Sequence, residues 1–246
     1  MDRLIWTAVT GMNASMARQR MIASNLANAQ TTGFRAEVMA QTPLTLQGPS
    51  LEVRTMNDPA VRGARMDAGA VSQTGRALDV ALSGDALLSV QTADGEEAYT
   101  RRGDLQLSPS GLLVTGEGQP VLGEGGPVSV PPGSLVSIGG DGAVLVRDPA
   151  DAAAPPRQVE RLKLASWRGS RIEKALDGLF RVRGGGVLPQ DAEARLTPGA
   201  LEQSNVKTTE VLVEMVEAQR LYDMRTKLIA TAKELDEGGA SLMRMS

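Results

Sequence analysis

The chain has 246 residues, with 26 Lys and Arg against 29 Asp and Glu, and it contains no His and no Cys. These absences exclude a Ser-His-Asp triad, a Cys-His nucleophile, zinc or haem held by His or Cys, and disulfides. A net charge of −3 and an aromatic content of 2% also argue against a nucleic-acid-binding protein.

Helix-breaking residues are concentrated in the middle of the chain. All 13 prolines lie between Pro43 and Pro198, and 23 of the 27 glycines lie in residues 36–200. Eight of the 11 methionines lie instead in residues 1–35 or 201–246. Because proline and glycine disfavour helices, this distribution predicts an α+β fold with a helix at each end and a central antiparallel all-β domain.

The first predicted element is an amphipathic helix from about Asp2 to Asn28. Its small and apolar residues follow a 4-3 spacing, which is typical of a helix that pairs with another helix. Gly33 can adopt the positive φ that follows a helix end, and Phe34 can fold back on the last turn. The predicted face comprises Ile5, Ala8, Met12, Ser15, Gln19, Ile22, Leu26 and Ala29.

The same N-terminal residues have one feature of a secretory signal, since Arg3 precedes an apolar run at residues 4–9. Residues 10–13 interrupt that run while the helical spacing continues. No apolar stretch approaches the roughly 18 residues of a membrane helix. We therefore expect neither a cleaved signal nor membrane insertion.

The middle of the chain is predicted to contain a connector and a β-rich domain. Residues 36–70 contain Thr42-Pro43 and Asp58-Pro59, which favour extended backbone and predict an extended connector. Residues 71–200 alternate short β-prone runs with turns, as in an antiparallel sandwich or barrel, and residues 148–156 are a predicted loop. The predicted strands are 78–82, 86–91, 99–101, 105–107, 111–115, 128–130, 136–138, 143–146 and 162–165.

The last predicted element is a helix from about Asn205 to Glu237, ended by Gly238-Gly239. Two long terminal helices suggest a coiled-coil-like pair, and an ordinary two-helix cap on the β domain is the alternative. The stripe of the second helix comprises Val211, Met215, Ala218, Tyr222, Arg225, Ile229, Ala232 and Leu235.

Polar residues interrupt both helix faces. Asn25 and Asn28 carry side-chain amides on the first helix, and Gln219 and Arg220 lie beside Tyr222 on the second. Polar groups in an apolar seam cost stability but fix register, which a helical array of subunits requires. The alternative is that these residues form the solvated edge of an intramolecular hairpin.

Three carboxylates near predicted strands suggest a function of another class. A pair among Asp79, Asp85 and Asp104 could cleave a glycosidic bond, although only Tyr99 is near enough to act as an aromatic platform. A secreted β-domain protein that binds or cleaves glycans is therefore the alternative to a non-enzymatic structural protein. We expect no cofactor and no bound metal.

Both ends of the chain resemble one family. SNLANAQTTGF at residues 24–34 resembles the N-terminal motif of bacterial flagellar rod and hook proteins, and LEQSNV at 201–206 with MVEAQRLY at 215–222 resembles their C-terminal motif. TGRALDVAL at 74–82 and YTRRG at 99–103 resemble the β domain of the same family. The chain is identified by this resemblance as a member of the flagellar rod and hook axial protein family.

The resemblance implies a non-catalytic subunit of the flagellar basal body, within the rod that spans the periplasm. Such subunits leave the cell unfolded through the flagellar type III export apparatus, and their terminal helices form the inner, coiled-coil-like layer of a tube. Residues 1–8 and the short length are similar to a proximal rod protein, with the distal rod protein FlgG as the alternative. Ala86-Leu87-Leu88 departs from the family, which usually has Gly-Phe-Phe there.

The implied partners are copies of the chain itself and other rod subunits of the FlgB, FlgC and FlgG types, with no nucleic acid among them. Residues 1–35 and 201–246 are the predicted assembly segments, and they flank the connector 36–70 and the β-rich domain 71–200. The predicted assembly interface comprises Ile5, Ala8, Met12, Ile22, Asn25, Leu26, Asn28, Gly33, Phe34, Ser204, Asn205, Val206, Met215, Gln219, Arg220 and Tyr222.

Overall fold

The computed structural model describes residues 2–45, 55–149 and 155–244. It has a long helix near each end and many short strands between them, so the predicted α+β class is confirmed. Two compact units are present. The helical unit comprises Met1–Ala27, Glu37–Gly63 and Lys207–Ser246, and the β unit comprises Asn28–Ala36 and Ala64–Val206.

The helical unit contains two helices and one small sheet. Helix α1 runs from Asp2 to Ala27 and helix α2 from Thr208 to Arg244, about 39 and 55 Å long. Strands β1 (Glu37–Thr45) and β2 (Thr55–Ala64) pair as a two-stranded sheet. Glu210 in the first turn of α2 favours that helix end, because carboxylates stabilise the positive end of the helix dipole.

One sequence prediction is corrected in this unit. Helix α2 continues through Gly238-Gly239 to Arg244, because the roughly 1 kcal/mol that each glycine costs is insufficient to end a long helix that helix-forming residues extend on both sides. The predicted connector contains paired strands, although both strands include a proline. A two-stranded sheet tolerates proline, since each of its strands has an edge without a partner.

The β unit contains sixteen strands within the described residues, and every strand pair whose register is known there is antiparallel. The largest sheet has five strands in the order β14-β5-β6-β16-β15, and a second has the order β11-β12-β13. Four pairs complete the unit: β7-β8, β10-β9, β17-β4 and β18-β3. The bounds are β3 Val71–Gln73, β4 Val80–Leu82, β5 Ala86–Gln91, β6 Glu97–Thr100, β7 Leu105–Leu107, β8 Leu113–Thr115, β9 Leu122–Gly123, β10 Gly126–Pro127, β11 Leu135–Ile138, β12 Ala143–Arg147, β13 Arg157–Arg161, β14 Leu164–Ser166, β15 Ile172–Lys174, β16 Phe180–Val182, β17 Leu196–Pro198 and β18 Ala200–Glu202.

Most of the predicted central strands are present. The predictions at 86–91 and 105–107 match β5 and β7 residue for residue. The predicted strand at 128–130 is wrong, because Ser129 forms only an isolated bridge with Leu112. Strands β15 to β18 are not among the strands predicted above, and neither is the five-residue strand β13.

The core of the β unit lies on both sides of strand β5. Leu88 and Val90 belong to a large apolar cluster, whereas Leu87 packs with Tyr99 and Phe180 in a smaller one. Five of the six residues of β5 are buried and four of these five are apolar, as expected for a strand that is covered on both faces. The aliphatic segment Ala86-Leu87-Leu88 therefore fills core positions on both faces of the sheet.

Candidate functional site

The inner surfaces of α1 and α2 pack against each other within the helical unit. Arg225 of α2 donates hydrogen bonds to the carbonyl oxygen of Gly11 and to the hydroxyl of Ser15 on α1. Ile22 of α1 and Ala218 of α2 are buried. The two helices run antiparallel, since residues near the start of α1 meet residues far along α2.

A groove of about 400 Å³ lies between the two helices, and it brings several predicted interface residues together. Ile22 lines it from α1, and Met215, Gln219 and Tyr222 line it from α2. These four residues therefore contribute to the packing of the helix pair inside a single chain. Gln19, Ala23 and Asp223 complete the lining.

Helix α2 has a second apolar surface, which we call the outer face: Val213, Val216, Met224 and Leu228. Their side chains are 60, 53, 57 and 67% exposed, respectively. At 100° per residue they share one side of α2, where the exposed charges of Glu217, Arg220 and Lys227 lie among them. This side is opposite that of Val211 and Ala218, which are buried. The sequence prediction missed this face because the more regular inner stripe obscured it, although a search for a second apolar period would have found it.

The predicted residues of α1 differ in their surroundings. Met12 and Leu26 are half-buried. Asn25 is buried, and its side-chain amide exchanges two hydrogen bonds with the backbone of Glu37, at 2.7 and 3.1 Å. The amide thus holds the start of strand β1 rather than bridging to a neighbouring helix. Ile5 and Ala8 lie outside the residues whose side chains the structure describes.

The two sequence motifs meet in the β unit. The N–H of Gly33 donates to the carbonyl of Glu202 at 2.7 Å, and the N–H of Asn205 donates to the carbonyl of Phe34 at 3.2 Å. Gly33 has a φ of 67°, and a Cβ on it would lie 2.5 Å from the carbonyl of Arg101. Only glycine fits this position without rearrangement. Asn28, in the turn before it, accepts a 3.1 Å hydrogen bond from the hydroxyl of Thr31.

The side chain of Asn205 joins three backbone segments. Its Oδ1 accepts a 2.7 Å hydrogen bond from the N–H of Ala36, and its Nδ2 donates to the carbonyls of Arg65 and Asp67, at 2.7 and 2.9 Å. Ser204 accepts a 3.2 Å hydrogen bond from the N–H of Val206, which is itself buried. These three predicted interface residues therefore order the chain just before α2.

A buried ionic group, which we call the Glu202 cluster, lies beside these contacts and was not predicted. Glu202 Oε1 accepts from Arg35 at 2.8 Å, and Oε2 accepts from Arg101 at 2.6 Å. The carboxylate also accepts a 2.8 Å hydrogen bond from the N–H of Gly69. Burial lowers the pKa of Arg35, and the charge of Glu202 opposes that shift.

Lys174 provides a further anchor for the same segment. Its ammonium lies 3.5 Å from the centre of the Phe34 ring and donates a 3.1 Å hydrogen bond to the carbonyl of Arg35. A cation over an aromatic face is an attractive contact that strengthens as water is excluded. Phe34, predicted as an interface residue, is therefore engaged within its own β unit.

The three carboxylates of the alternative prediction are each paired with an arginine. Asp79 accepts from Arg76 at 2.8 and 2.5 Å and from the hydroxyl of Thr74 at 2.6 Å. Asp104 accepts from Arg102 and Asp85 from Arg168. Asp79 and Asp104 do face each other across an isolated bridge, yet each is held by its own arginine as a structural ion pair.

The described residues lack two further features. No helix among them combines the length and the apolar character needed to cross a membrane. In that part of the chain, no group of three or more Asp or Glu side chains is arranged to hold a metal ion.

Models of three families match consecutive parts of the chain. Residues 5–35 match the family described as flagella basal body rod protein, and residues 81–146 match the D1 domain of the flagellar hook protein FlgE/F/G. Residues 197–242 match the C-terminal region of the flagellar basal body rod FlgEFG proteins. These matches cover both helices and part of the β unit.

Whole-chain comparisons agree with these matches. The chain is 40% identical to the flagellar basal-body rod protein FlgF of Salmonella typhimurium and 39% identical to that of Escherichia coli, over 100% of both chains in each case. It is 30% identical to the flagellar basal-body rod protein FlgG of Buchnera aphidicola, over 94% of this chain and 96% of that protein.

Proposed function

Since the chain belongs to the family of flagellar basal-body rod proteins, we propose that it assembles into the rod through its terminal helices. It is a structural subunit of the rod, and its place is the basal body of the flagellum. The higher identity to FlgF than to FlgG supports a position in the proximal rod, with the distal rod as the alternative.

The observation that supports this proposal most strongly is the exposure of the outer face of α2. Its four large apolar side chains are each more than half exposed, on a helix whose opposite side is already packed against α1. Burying one such side chain contributes about 1.5 to 3 kcal/mol, so the face provides a strong driving force for association. A non-enzymatic rod subunit needs such a surface, since its function is to contact its neighbours.

The predicted interface residues have two roles in this proposal. Met12 and Leu26 are half-buried, and Gln219 and Arg220 are exposed, although Gln219 also lines the groove. These four residues contact neighbouring subunits directly. A second group acts indirectly, because its members hold the chain next to the helices in a fixed conformation. That group comprises Ile22, Asn25, Asn28, Gly33, Phe34, Ser204, Asn205, Val206, Met215 and Tyr222. Ile5 and Ala8 remain predicted interface residues from the sequence.

We further propose the assembly that the family implies. The helices of residues 1–35 and 201–246 form a coiled-coil-like inner layer, residues 36–70 connect, and the β-rich domain 71–200 forms the outer layer. The partners are copies of this chain and rod subunits of the FlgB, FlgC and FlgG types. The chain reaches them unfolded through the type III export apparatus.

The test replaces apolar residues of the outer face with charges in cells that lack their own copy of the protein. Val216→Asp combined with Met224→Asp is expected to abolish swimming, because a charge would be buried at each contact. Thr226→Asp is the matched control, since Thr226 is exposed on the same helix but lies outside the outer face. Normal swimming of the double variant, with a normal amount of protein, would refute the role of this face.

A further inference from the structure

Three short segments that lie almost entirely outside helices and strands meet within the β unit. They are residues 33–36, which we call the first segment, residues 65–70, the second segment, and residues 202–205, the latch. Segments of this kind open at a lower free energy than the sheets of the same unit unless other contacts hold them. The order of the three segments therefore depends on the contacts between them.

The latch is bonded to the first segment through both of its end residues. The N–H of Gly33 donates to the carbonyl of Glu202, and the N–H of Ala36 donates to the side-chain Oδ1 of Asn205, both at 2.7 Å. The carboxylate of Glu202 also accepts from Arg35 at 2.8 Å. Backbone and side chains of the latch thus hold the first segment together.

The latch is bonded to the second segment as well. Asn205 Nδ2 donates to the carbonyl of Arg65 at 2.7 Å, and the N–H of Gln203 donates to the carbonyl of Ala70 at 2.8 Å. A Cβ on Gly69 would lie 1.9 Å from the carbonyl oxygen of Gln203. The two backbones are therefore so close that no side chain fits between them.

These segments lie where the chain leaves or enters the β unit. The chain passes between the β unit and the helical unit after Ala36, before Ala64 and after Val206. The side chain of Asn205 is bonded to Ala36 and to Arg65, so one residue ties together the chain at three of these crossings. Docking of the latch therefore fixes the three crossings at once.

We propose that the latch is a conformational device that must dock before the subunit can assemble. Until it docks, the first and second segments remain unordered, and the three crossings have no fixed position. The latch follows nearly all of the β unit in the sequence, so it can dock only when most of the chain is present. A truncated or partly emerged chain is thereby kept from assembling. The last step of this inference rests on the proposed rod function.

Amide hydrogen exchange of the purified full chain, followed by NMR, tests whether the latch docks as one unit. Asn205→Ala removes the acceptor of the Ala36 N–H but leaves Glu202, the partner of the Gly33 and Gly69 amides, unchanged. If the latch docks as one unit, exchange at Gly33 and Gly69 becomes faster by about tenfold or more, because three hydrogen bonds of Asn205 are lost.

The amides of strands β5 and β6 report whether the β unit stays folded, and their exchange is expected to be unchanged in this variant. Gln106→Ala is the matched control, since that side-chain amide is exposed on strand β7. It is expected to leave exchange at Gly33 and Gly69 unchanged. Faster exchange in Asn205→Ala that is confined to Ala36 would overturn the latch, since its bonds would then open independently.

A second variant tests the need for docking in assembly. Gly69→Ala prevents docking without removing a hydrogen-bonding group, because its Cβ would overlap the carbonyl of Gln203. Gly125→Ala is the matched control: neither glycine has a positive φ, and the nearest atom to a Cβ on Gly125 is a carboxylate oxygen of Glu160 at 3.4 Å. Each variant is produced in cells that lack their own copy of the protein, and basal bodies are isolated.

We expect Gly125→Ala in the basal bodies and both Gly69→Ala and Asn205→Ala outside them, with a normal amount of each protein in the cells. Normal incorporation of either latch variant would overturn the requirement for docking. If the unmodified protein itself were absent from basal bodies, the rod function would fail, whereas the exchange result would still decide whether the latch docks as one unit.

Discussion

Among single side chains, we expect Glu202 to contribute most to the free energy of unfolding, because two buried arginines are paired with its carboxylate. We expect Glu202→Gln to lower the free energy of unfolding by about 3 to 5 kcal/mol, the usual cost of leaving a buried charge unpaired. Urea unfolding of the purified chain measures this. Glu117→Gln is the control, since that carboxylate is 47% exposed and its bond to Arg102 contributes about 1 kcal/mol or less. Equal effects of the two substitutions would contradict the importance of the buried cluster.

Gly33 offers a test of close packing, with Gly75 as a matched control. Both have positive φ, 67° and 73°, but a Cβ on Gly75 meets open space whereas one on Gly33 meets the backbone of Arg101. Gly75→Ala should cost about 1 to 2 kcal/mol from backbone strain alone. Gly33→Ala should cost clearly more, because the clash adds to the strain. Unfolding curves that coincide for the two variants would show that the contact is unimportant.

The buried Tyr99 side chain is expected to make the free energy of unfolding depend on pH. Its hydroxyl accepts a 2.6 Å hydrogen bond from the N–H of Leu188, and burial raises the pKa of Tyr99 to about 12, from a usual 10.0. Below pH 10 both states of the chain keep the proton, so Tyr99 has no effect on the pH dependence of stability there. Between pH 10 and 12 only the unfolded chain ionises, and the free energy of unfolding should fall by up to about 3 kcal/mol.

The ultraviolet absorbance of tyrosinate measures this titration directly. The folded protein should show a step near pH 12 that Tyr99→Phe lacks. Complete ionisation of both tyrosines near pH 10 in folded protein would contradict the buried environment of Tyr99.

At the scale of elements, the side chain of Arg225 forms hydrogen bonds that join α2 to α1. Arg225→Ala removes two hydrogen bonds to Gly11 and Ser15, and it should destabilise the helix pair by about 1.5 to 3 kcal/mol. Thermal melting followed by helical circular dichroism measures the effect. Lys227→Ala is the control, because Lys227 is exposed on the same helix. A similar loss in both variants would mean that general helix propensity, and not the contact, explains the change.

Much of the element order could be predicted because proline is absent from both terminal segments. The start of α2 was misplaced by three residues, since the side chain of Asn205 bonds to Arg65 and Asp67 and the helix begins only at Thr208. Contacts with residues so distant in sequence leave no local pattern. The same limit explains the Glu202 cluster, in which residues 35, 101 and 202 meet only after folding.

The predicted assembly interface stays a prediction, and the faces of the two helices could not be assigned from spacing alone. Spacing identifies an apolar stripe, yet it does not indicate whether the stripe packs inside one chain or between chains. Tyr222 lines the groove within the helix pair, whereas Met224, two residues later, faces solvent. The asparagines and Gly33 proved to be bonded within the chain, so their contribution to assembly is proposed to be indirect.

At the scale of the whole molecule, the two units have different roles. The β unit holds the segments next to both helices through Gly33, Asn205 and Glu202, and the helical unit leaves apolar surface exposed. Exposed apolar area of this kind is costly for an isolated subunit and favours association. The central claim is therefore that this rod subunit assembles through its terminal helices.

Electron cryomicroscopy of basal bodies that contain this chain tests that claim most directly. We predict a rod in which α1 and α2 of adjacent subunits form the inner layer and are in contact, with the β unit outside them. A rod in which the β units form the subunit contacts, while α1 and α2 touch no neighbouring subunit, would contradict it.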